Sequence, residues 1–398
     1  MSKKKLLIAY YQMIVGGSTT SLLALLNSLD KSKYEIDLQL YHNRGPMLAD
    51  IPEGVNLLPP AVKYDNRVGH LIKRAAFVLS GGMLRARLAA KKAGRSGHSG
   101  QMLVDFQTKH FSKKNKKHYD VAIGFLEGWP VRYVAYHVKA DKKLGWLHST
   151  FANIAAIPDL EKNWMDKVDN VVFVADNCRD AFREAMPDMA EKAVTVRNIT
   201  DSSLVRKRAE QCDEQDADFV RFRDADCFKI VTVCRVTISV KGLDRAVACA
   251  KRLKECGKRF LWMILGDGAD LERLREMIAQ AGVSDCMVAV GNRMNPFPFV
   301  KQADVFCMPS RYEGKPMVIT ESMILGVPPF VTRYLSAEEQ IQNGVEGVIA
   351  ENEDDTIFEA LREYMERPEA LENMKAYLVA HDYGNSEYAR EIENKYLT

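Results

Sequence analysis

No stretch of this sequence reaches the roughly 18 consecutive apolar residues that a membrane-spanning helix needs, although 47% of its 398 residues are hydrophobic. None of its eight cysteines, at positions 178, 212, 227, 234, 249, 256, 286 and 307, stands in a C-x-x-C pair. Cys234, Cys249 and Cys307 fall inside apolar runs. Buried free thiols in a reducing compartment fit that spacing better than zinc or disulfides. The dinucleotide fingerprint G-x-G-x-x-G is missing as well: Gly266-Asp267-Gly268 begins it, but position 271 is leucine. No strong divalent-metal motif occurs, since Asp267-Gly268-Ala269-Asp270 opens a helix and Asp354-Asp355 lies in a late loop. Lys3-Lys4-Lys5 precedes an apolar run too short for a signal peptide, and Gly16-Gly17 follows at once. A first β-strand and a cytoplasmic location are therefore expected.

The net charge is only +3, but it is unevenly spread. Between positions 61 and 118 there are fourteen Lys or Arg and two acids, Asp65 and Asp105. Leu71, Ile72, Phe77, Val78, Leu79, Met83, Leu84 and Leu88 are interleaved with the bases. That is the pattern of a basic amphipathic segment suited to an anionic membrane surface. A solvated helical face on an inserted segment is the plainer alternative. Aromatics are few there and no nucleic-acid-binding motif is present, so nucleic acid is not an expected partner.

Strand-like runs at 5–11, 34–41, 119–125, 143–147, 170–174 and 194–196 alternate with helical patterns at 19–29, 129–138 and 177–185. Such alternation predicts a mostly parallel sheet with helices on both faces. Positions 209–226 then carry seven acids and read as the inter-domain linker, set at 206–227. The rhythm restarts with strands at 228–233, 260–265, 287–290, 305–308 and 329–332. Two doubly wound domains in tandem are expected, 1–205 and 228–376, with a helical segment 377–398 able to return to the first. Ligands of such folds bind at the carboxyl ends of strands, so the cleft between the domains is the expected site.

Positions 310–326 read S-R-Y-E-G-K-P-M-V-I-T-E-S-M-I-L-G. Pro316 suits a first helical position, and Gly326 suits the end of an apolar, buried helix over 317–325. The amides of Met317 and Val318 at its N-terminus are a natural seat for a phosphate. Glu313 lies in the turn and Glu321 inside the helix, where a buried carboxylate is costly without a partner. A strand-turn-helix in which Glu321 makes a structural hydrogen bond is the plainer alternative. Arg235 follows a strand, and Lys241 stands six residues on, just before Gly242. Two cations there suit a diphosphate, one as a planar fork and one as a point charge; taken alone they also fit two surface cations on a loop. Together these groups describe a sugar-nucleotide pocket.

Positions 228–350 resemble the donor-binding domain of retaining glycosyltransferases of family 4. The resemblance rests on Arg235, Lys241-Gly242, Gly266-Asp267-Gly268, Ala303-Asp304, Pro309-Ser310, Glu313-Gly314, Glu321 and Gly326-Val327-Pro328. The two glutamates separated by seven residues carry most of its specificity. Positions 310–326 and 336–347 look like enzymes of bacterial capsule and exopolysaccharide assembly. The first domain supports the resemblance more thinly, through Gly16-Gly17 and Trp146-Leu147-His148-Ser149.

The resemblance implies an α/β chain of GT-B fold, two Rossmann-like doubly wound domains facing across a cleft. It implies retaining transfer of a sugar from a nucleotide-sugar, most of all a UDP-sugar, to a lipid-linked saccharide acceptor at the inner membrane face. Arg235 and Lys241 would hold the diphosphate, Glu313 the donor sugar's hydroxyls and Glu321 the ribose hydroxyls. Gly16 and Gly17 would let the backbone approach the phosphates, and His148 would sit near the reacting carbon. Gly314, Lys315, Pro316, Met317, Val318, Gly266, Asp267, Gly291 and Asn292 complete the implied donor-binding set. No cofactor and no metal are implied, the leaving diphosphate oxygen accepting the acceptor's proton. Lys315 departs from the family, where many relatives have an apolar residue, and Ser322 stands where alanine is common. A catalytically silent scaffold subunit and a sugar-nucleotide epimerase of the same fold are the alternatives.

Overall fold

A computed structural model describes residues 3–14, 16–62, 67–93, 98–154 and 157–397. The chain divides into two units, one of Met1–Asn198 with Glu387–Thr398 and one of Ile199–Ser386.

The first unit is built on seven strands: β1 (Lys4–Tyr10), β2 (Tyr34–Leu40), β3 (Val55–Leu57), β4 (His118–Gly124), β5 (Lys139–Leu147), β6 (Asn170–Phe173) and β7 (Ala193–Thr195). They pair in the order β3-β2-β1-β4-β5-β6-β7, every pair parallel. Leu6 to Tyr10 of β1 are all buried. Helices cover both faces of such a sheet, which is why its central strand β1 becomes an apolar run after its first two lysines. The strand order reverses between β1 and β4. The loops after β1, β4 and β5 therefore share the carboxyl edge where open α/β sheets take ligands.

Helices Arg67–Leu79, Gly82–Ala93 and His98–Phe111 are inserted between β3 and β4. Part of the basic segment, at 63–66 and 94–97, lies outside the described residues. Val68, Leu71, Ile72, Val78, Leu79, Met83, Leu84 and Leu88 are exposed, Leu79 at 87%. Phe77 departs from that stripe and is buried, its ring 5.5 Å from Phe106. Lys73 is buried too, its Nζ 5.9 Å from the centroid of the Tyr41 ring.

The second unit has six strands: β8 (Phe228–Val233), β9 (Phe260–Leu265), β10 (Met287–Gly291), β11 (Val305–Met308), β12 (Pro329–Thr332) and β13 (Val348–Ala350). They run parallel in the order β10-β9-β8-β11-β12-β13. Alternate residues of β9 enter two cores, as the two-residue period of a strand requires. Trp262 and Ile264 pack with Leu243, Ala246, Ala250 and Leu253 of helix Leu243–Glu255. Leu261 and Met263 pack with Phe219, Phe222, Ile319 and Met323.

The acid-rich stretch 206–227 is not a linker. It folds into the second unit as helices Ser202–Ala209 and Ala217–Asp224. Its acids do local work: Asp216 caps the second helix through the amides of Asp218 and Phe219, Asp216 and Asp218 pair with Arg293, and Glu214 pairs with Arg223. Phe219 and Phe222 are fully buried, a gain of about 1.5–3 kcal/mol each. The division of the chain falls after 198 rather than at 205. Segment 377–398 is likewise split. Helix Pro368–Ala380 belongs to the second unit, whereas helix Tyr388–Tyr396 belongs to the first and buries Ala389, Ile392 and Tyr396. The cysteines are free thiols, but Cys212 and Cys256 are exposed and Cys234 is only half-buried.

Candidate active site

In the second unit the strand order reverses between β8 and β11. The loops leaving these two neighbours are fastened to each other. Gly242 has φ 61°, and a Cβ there would lie 1.9 Å from the Pro309 carbonyl oxygen, so only glycine permits the approach. The Arg311 amide donates to the Val240 carbonyl at 2.9 Å. This fastening puts Lys241 Nζ 2.7 Å from Glu313 Oε1, and the Ser310 hydroxyl donates to the same oxygen at 2.7 Å. The Glu313 side chain is 9% exposed and that of Lys241 20%, so this is a partly desolvated, charge-assisted pair. Arg235, from the same loop as Lys241, is exposed, and none of the described residues pairs with its guanidinium.

The turn holding Glu313 hangs from hydroxyl and amide side chains further along. Thr332 Oγ1 donates to the Ser310 carbonyl at 2.5 Å, and the Ser336 hydroxyl donates to that of Gly314. Gln340 Nε2 donates to the Pro316 carbonyl at 2.9 Å, and Asn352 Nδ2 to that of Arg311 at 3.0 Å. Sequence reasoning missed Thr332, Ser336, Gln340 and Asn352 as supports, because single polar residues in separate loops carry no spacing signal.

Pro316 is the N-cap, with φ −69° and ψ 123°, and not the first helical residue. Helix Met317–Ile324 therefore begins one residue later, with the amides of Met317 and Val318 in its first turn and without backbone acceptors among the described residues. Glu321 is 7% exposed. The structural hydrogen bond of the plainer alternative is not there: none of the described residues donates to its carboxylate. Burial pushes the carboxyl up to about 7, and the charge of Arg208 pulls against it. Arg208 was not anticipated; its Nη2 donates to the Met294 carbonyl at 2.9 Å, and its guanidinium lies 5.2 Å from the Phe297 ring centroid.

The Gly266-Asp267-Gly268 loop holds other backbone. A Cβ on Gly266 (φ 139°) would sit 1.8 Å from the Cys234 carbonyl oxygen. The Asp267 carbonyl accepts from the Val236 amide at 2.9 Å, and its carboxylate accepts from the Gly268 amide at 2.7 Å. The loop thus braces the segment carrying Arg235. Gly291 ends β10 and accepts from the Gly266 amide at 2.9 Å; Asn292 beside it is exposed, and Lys315 is half-buried.

In the first unit, Gly16 and Gly17 lead into helix Gly17–Ser28, and the space around the Cβ position of Gly16 is open. Tyr10, at the end of β1, places its hydroxyl 2.7 Å from Ser18 Oγ and 3.0 Å from Thr19 Oγ1. His148 follows β5 with its ring 5.0 Å from that of Phe125, and its Nε2 is buried without a partner among the described residues. Burial lowers its pKa below the usual histidine value, with the Glu127 charge opposing, so the imidazole is neutral near pH 7. Glu127, also missed from sequence, accepts from the His148 amide at 3.0 Å and from the Ser149 hydroxyl at 2.9 Å. Among the described residues no three His, Cys, Asp or Glu side chains gather as metal ligands, and no helix is long and apolar enough to cross a membrane.

Residues 214–379 match the family model described as glycosyl transferases group 1. The second unit carries a glycosyl transferases group 1 domain. This group 1 domain holds Arg235, Lys241, Glu313 and Glu321. The chain is 32% identical over 142 residues to the amylovoran biosynthesis glycosyltransferase AmsK of Erwinia amylovora, covering 33% of this chain and 34% of that one. It is 33% identical over 136 residues to the putative colanic acid biosynthesis glycosyltransferase WcaL of Escherichia coli, covering 31% and 33%. These matches span about a third of the curated relatives' length. Among solved structures, Anabaena Alr3699/HepE in complex with UDP and glucose aligns over 99% of this chain and 100% of its own, with TM-score 0.70 and 14% identity. A sucrose-phosphate synthase from Thermosynechococcus elongatus aligns over 99% and 98%, with TM-score 0.69 and 14% identity. At that identity the likeness is one of fold, and the fold, a group 1 domain included, is GT-B.

Proposed function

We propose that this chain is a retaining glycosyltransferase that moves a sugar from a UDP-sugar to a lipid-linked saccharide in surface-polysaccharide assembly. The observation that carries the reading is the Lys241–Glu313 pair at 2.7 Å, with Arg235 unpaired among the described residues, at the strand-order reversal of a group 1 domain. Arg235 and Lys241 would take the diphosphate, with the free amides of Met317 and Val318 adding donors. Cations fixed there stabilise charge as it develops on the leaving diphosphate. Glu313 would turn from Lys241 toward the sugar's hydroxyls, and Glu321 would accept from the ribose. The leaving diphosphate oxygen would take the acceptor's proton, so a dedicated base is not required. Two cations and a helix N-terminus can offset the diphosphate charge, and we propose that the reaction runs without a metal. The names of AmsK and WcaL, given as glycosyltransferases of amylovoran and of colanic acid biosynthesis, support the substrate class.

The exposed apolar residues of helices Arg67–Leu79 and Gly82–Ala93 stand among Arg74, Arg85 and Arg87, all exposed. That chemistry fits an anionic lipid surface, where a lipid-linked acceptor resides. Replacing Leu79 and Leu84 together by aspartate is expected to abolish sedimentation with anionic vesicles; unchanged sedimentation would remove the membrane from the proposal.

Calorimetric titration of UDP, GDP, ADP and NAD tests the donor site. UDP alone is expected to bind, and Glu321→Ala to weaken it about tenfold or more. Binding of NAD alone, or of nothing, would sink the transferase reading.

A further inference from the structure

A cavity of about 330 Å³ opens in the first unit beside β7, the edge strand of its sheet. That volume is at the lower end of the roughly 300–1,000 Å³ typical of small-molecule sites. Arg179, Arg183, Arg197 and Lys395 line it, against a single lining carboxylate among the described residues, Asp176. The four cations come from three places in the chain: helix Asp176–Ala185, the segment just after β7, and helix Tyr388–Tyr396.

Asp176 and Asp180 are already engaged, and Glu391, one turn before Lys395 on its helix, acts on that lysine only through its charge. Asp176 accepts from Arg179 at 2.6 Å, from the Thr195 hydroxyl at 2.8 Å and from Arg197 at 3.3 Å. Asp180 takes two donors of Arg179, at 2.8 and 2.9 Å. Arg179 is therefore neutralised internally. Arg183 instead donates to the carbonyls of Ala190 and Ala193, at 3.3 and 3.0 Å, with Asp180 3.5 Å away. Lys395 has no carboxylate within ion-pair distance among the described residues; its Nζ lies 5.3 Å from the Tyr396 ring centroid.

Like charges gathered around one concavity repel unless an anion joins them. We propose that this cavity binds a phosphate ester, its phosphate held by Arg183, Arg197 and Lys395. Two guanidiniums and an ammonium supply the donors that phosphate oxygens require. Tyr388 and Thr195 line the same space, and their residue types suit a polyhydroxylated remainder. The site is independent of the donor pocket and of the glycosyl-transfer reading, since every lining residue lies in the first unit.

The test is calorimetric titration of the full chain with inorganic phosphate, glucose 1-phosphate and glycerol 3-phosphate, in the native protein and in Lys241→Ala. Binding of at least one ester is expected in both. Lys395→Gln is expected to weaken it about tenfold, and Lys395→Arg to restore it. Lys395 is exposed, so this change tests the site without threatening the fold; Arg183→Gln provides a second variant with the same expected loss. Tighter glucose 1-phosphate identifies a free sugar phosphate as the ligand, and tighter glycerol 3-phosphate a lipid headgroup; both uphold a phosphate site. The proposal is overturned if no ester saturates below about 10 mM. It is equally overturned if binding disappears in Lys241→Ala while Lys395→Gln binds as the native protein does.

Discussion

Glu321 costs the fold something that a neutral residue would not. Its carboxyl is buried, its pKa is raised from 4.5 to about 7, and no donor meets it among the described residues. A carboxyl whose folded pKa lies above its unfolded one binds more protons when folded. Its contribution to stability is therefore fully present below the unfolded value and is lost as pH rises through about 7. The difference corresponds to about 3 kcal/mol at alkaline pH. Glu321→Gln is expected to raise the thermal midpoint at pH 8 and to leave it nearly unchanged at pH 4.5; an equal rise at both would show that the charge is not the cause. Lys241 and Glu313 behave differently, since each satisfies the other. Lys241→Ala would leave the Glu313 carboxylate with the Ser310 hydroxyl alone, a loss of about 1–3 kcal/mol measurable by urea unfolding. Glu313→Gln keeps the shape and frees the lysine, so it is expected to preserve UDP binding in calorimetry while sugar transfer falls.

At the scale of elements, glycines separate architecture from ligand binding. Gly242→Ala would force a Cβ into the Pro309 carbonyl at positive φ, with an expected loss above about 1 kcal/mol. Gly16→Ala meets nothing within 4 Å and has extended backbone. It should leave the thermal midpoint unchanged, and if Gly16 lies against phosphates it should weaken donor binding; a lowered midpoint would make Gly16 a structural residue. The strands were the legible part of this chain. Those at 228–233, 260–265, 305–308 and 329–332 coincide with β8, β9, β11 and β12 residue for residue, because burial on both faces keeps such strands mostly apolar. Strand β13 has three residues, too few for any period to show. The acids of 209–226 misled because helix caps and ion pairs use the residues that solvated linkers use, and only the burial of Phe219 and Phe222 tells them apart. In the site, Lys241, Glu313 and Glu321 stood out through spacing. Glu127 and Arg208 did not, because the residues that each meets are distant in sequence.

For the molecule as a whole, the first unit is discontinuous and the second is a single stretch, Ile199–Ser386. Deleting 387–398 removes Ala389, Ile392 and Tyr396 from the interior of the first unit alone. In a denaturant titration the transition of the first unit is expected to move to lower urea, and that of the second to stay in place; a shift of both would mean that they unfold as one. The same discontinuity sets a timetable during synthesis. At roughly 5–20 residues per second, the ribosome takes on the order of 10–40 s to make 199–386. For that interval the seven-stranded sheet has been translated without its last helix, and the cavity beside β7 without Lys395. A nascent chain therefore finishes its second unit first, and a chaperone that shields the open edge has about half a minute in which to act.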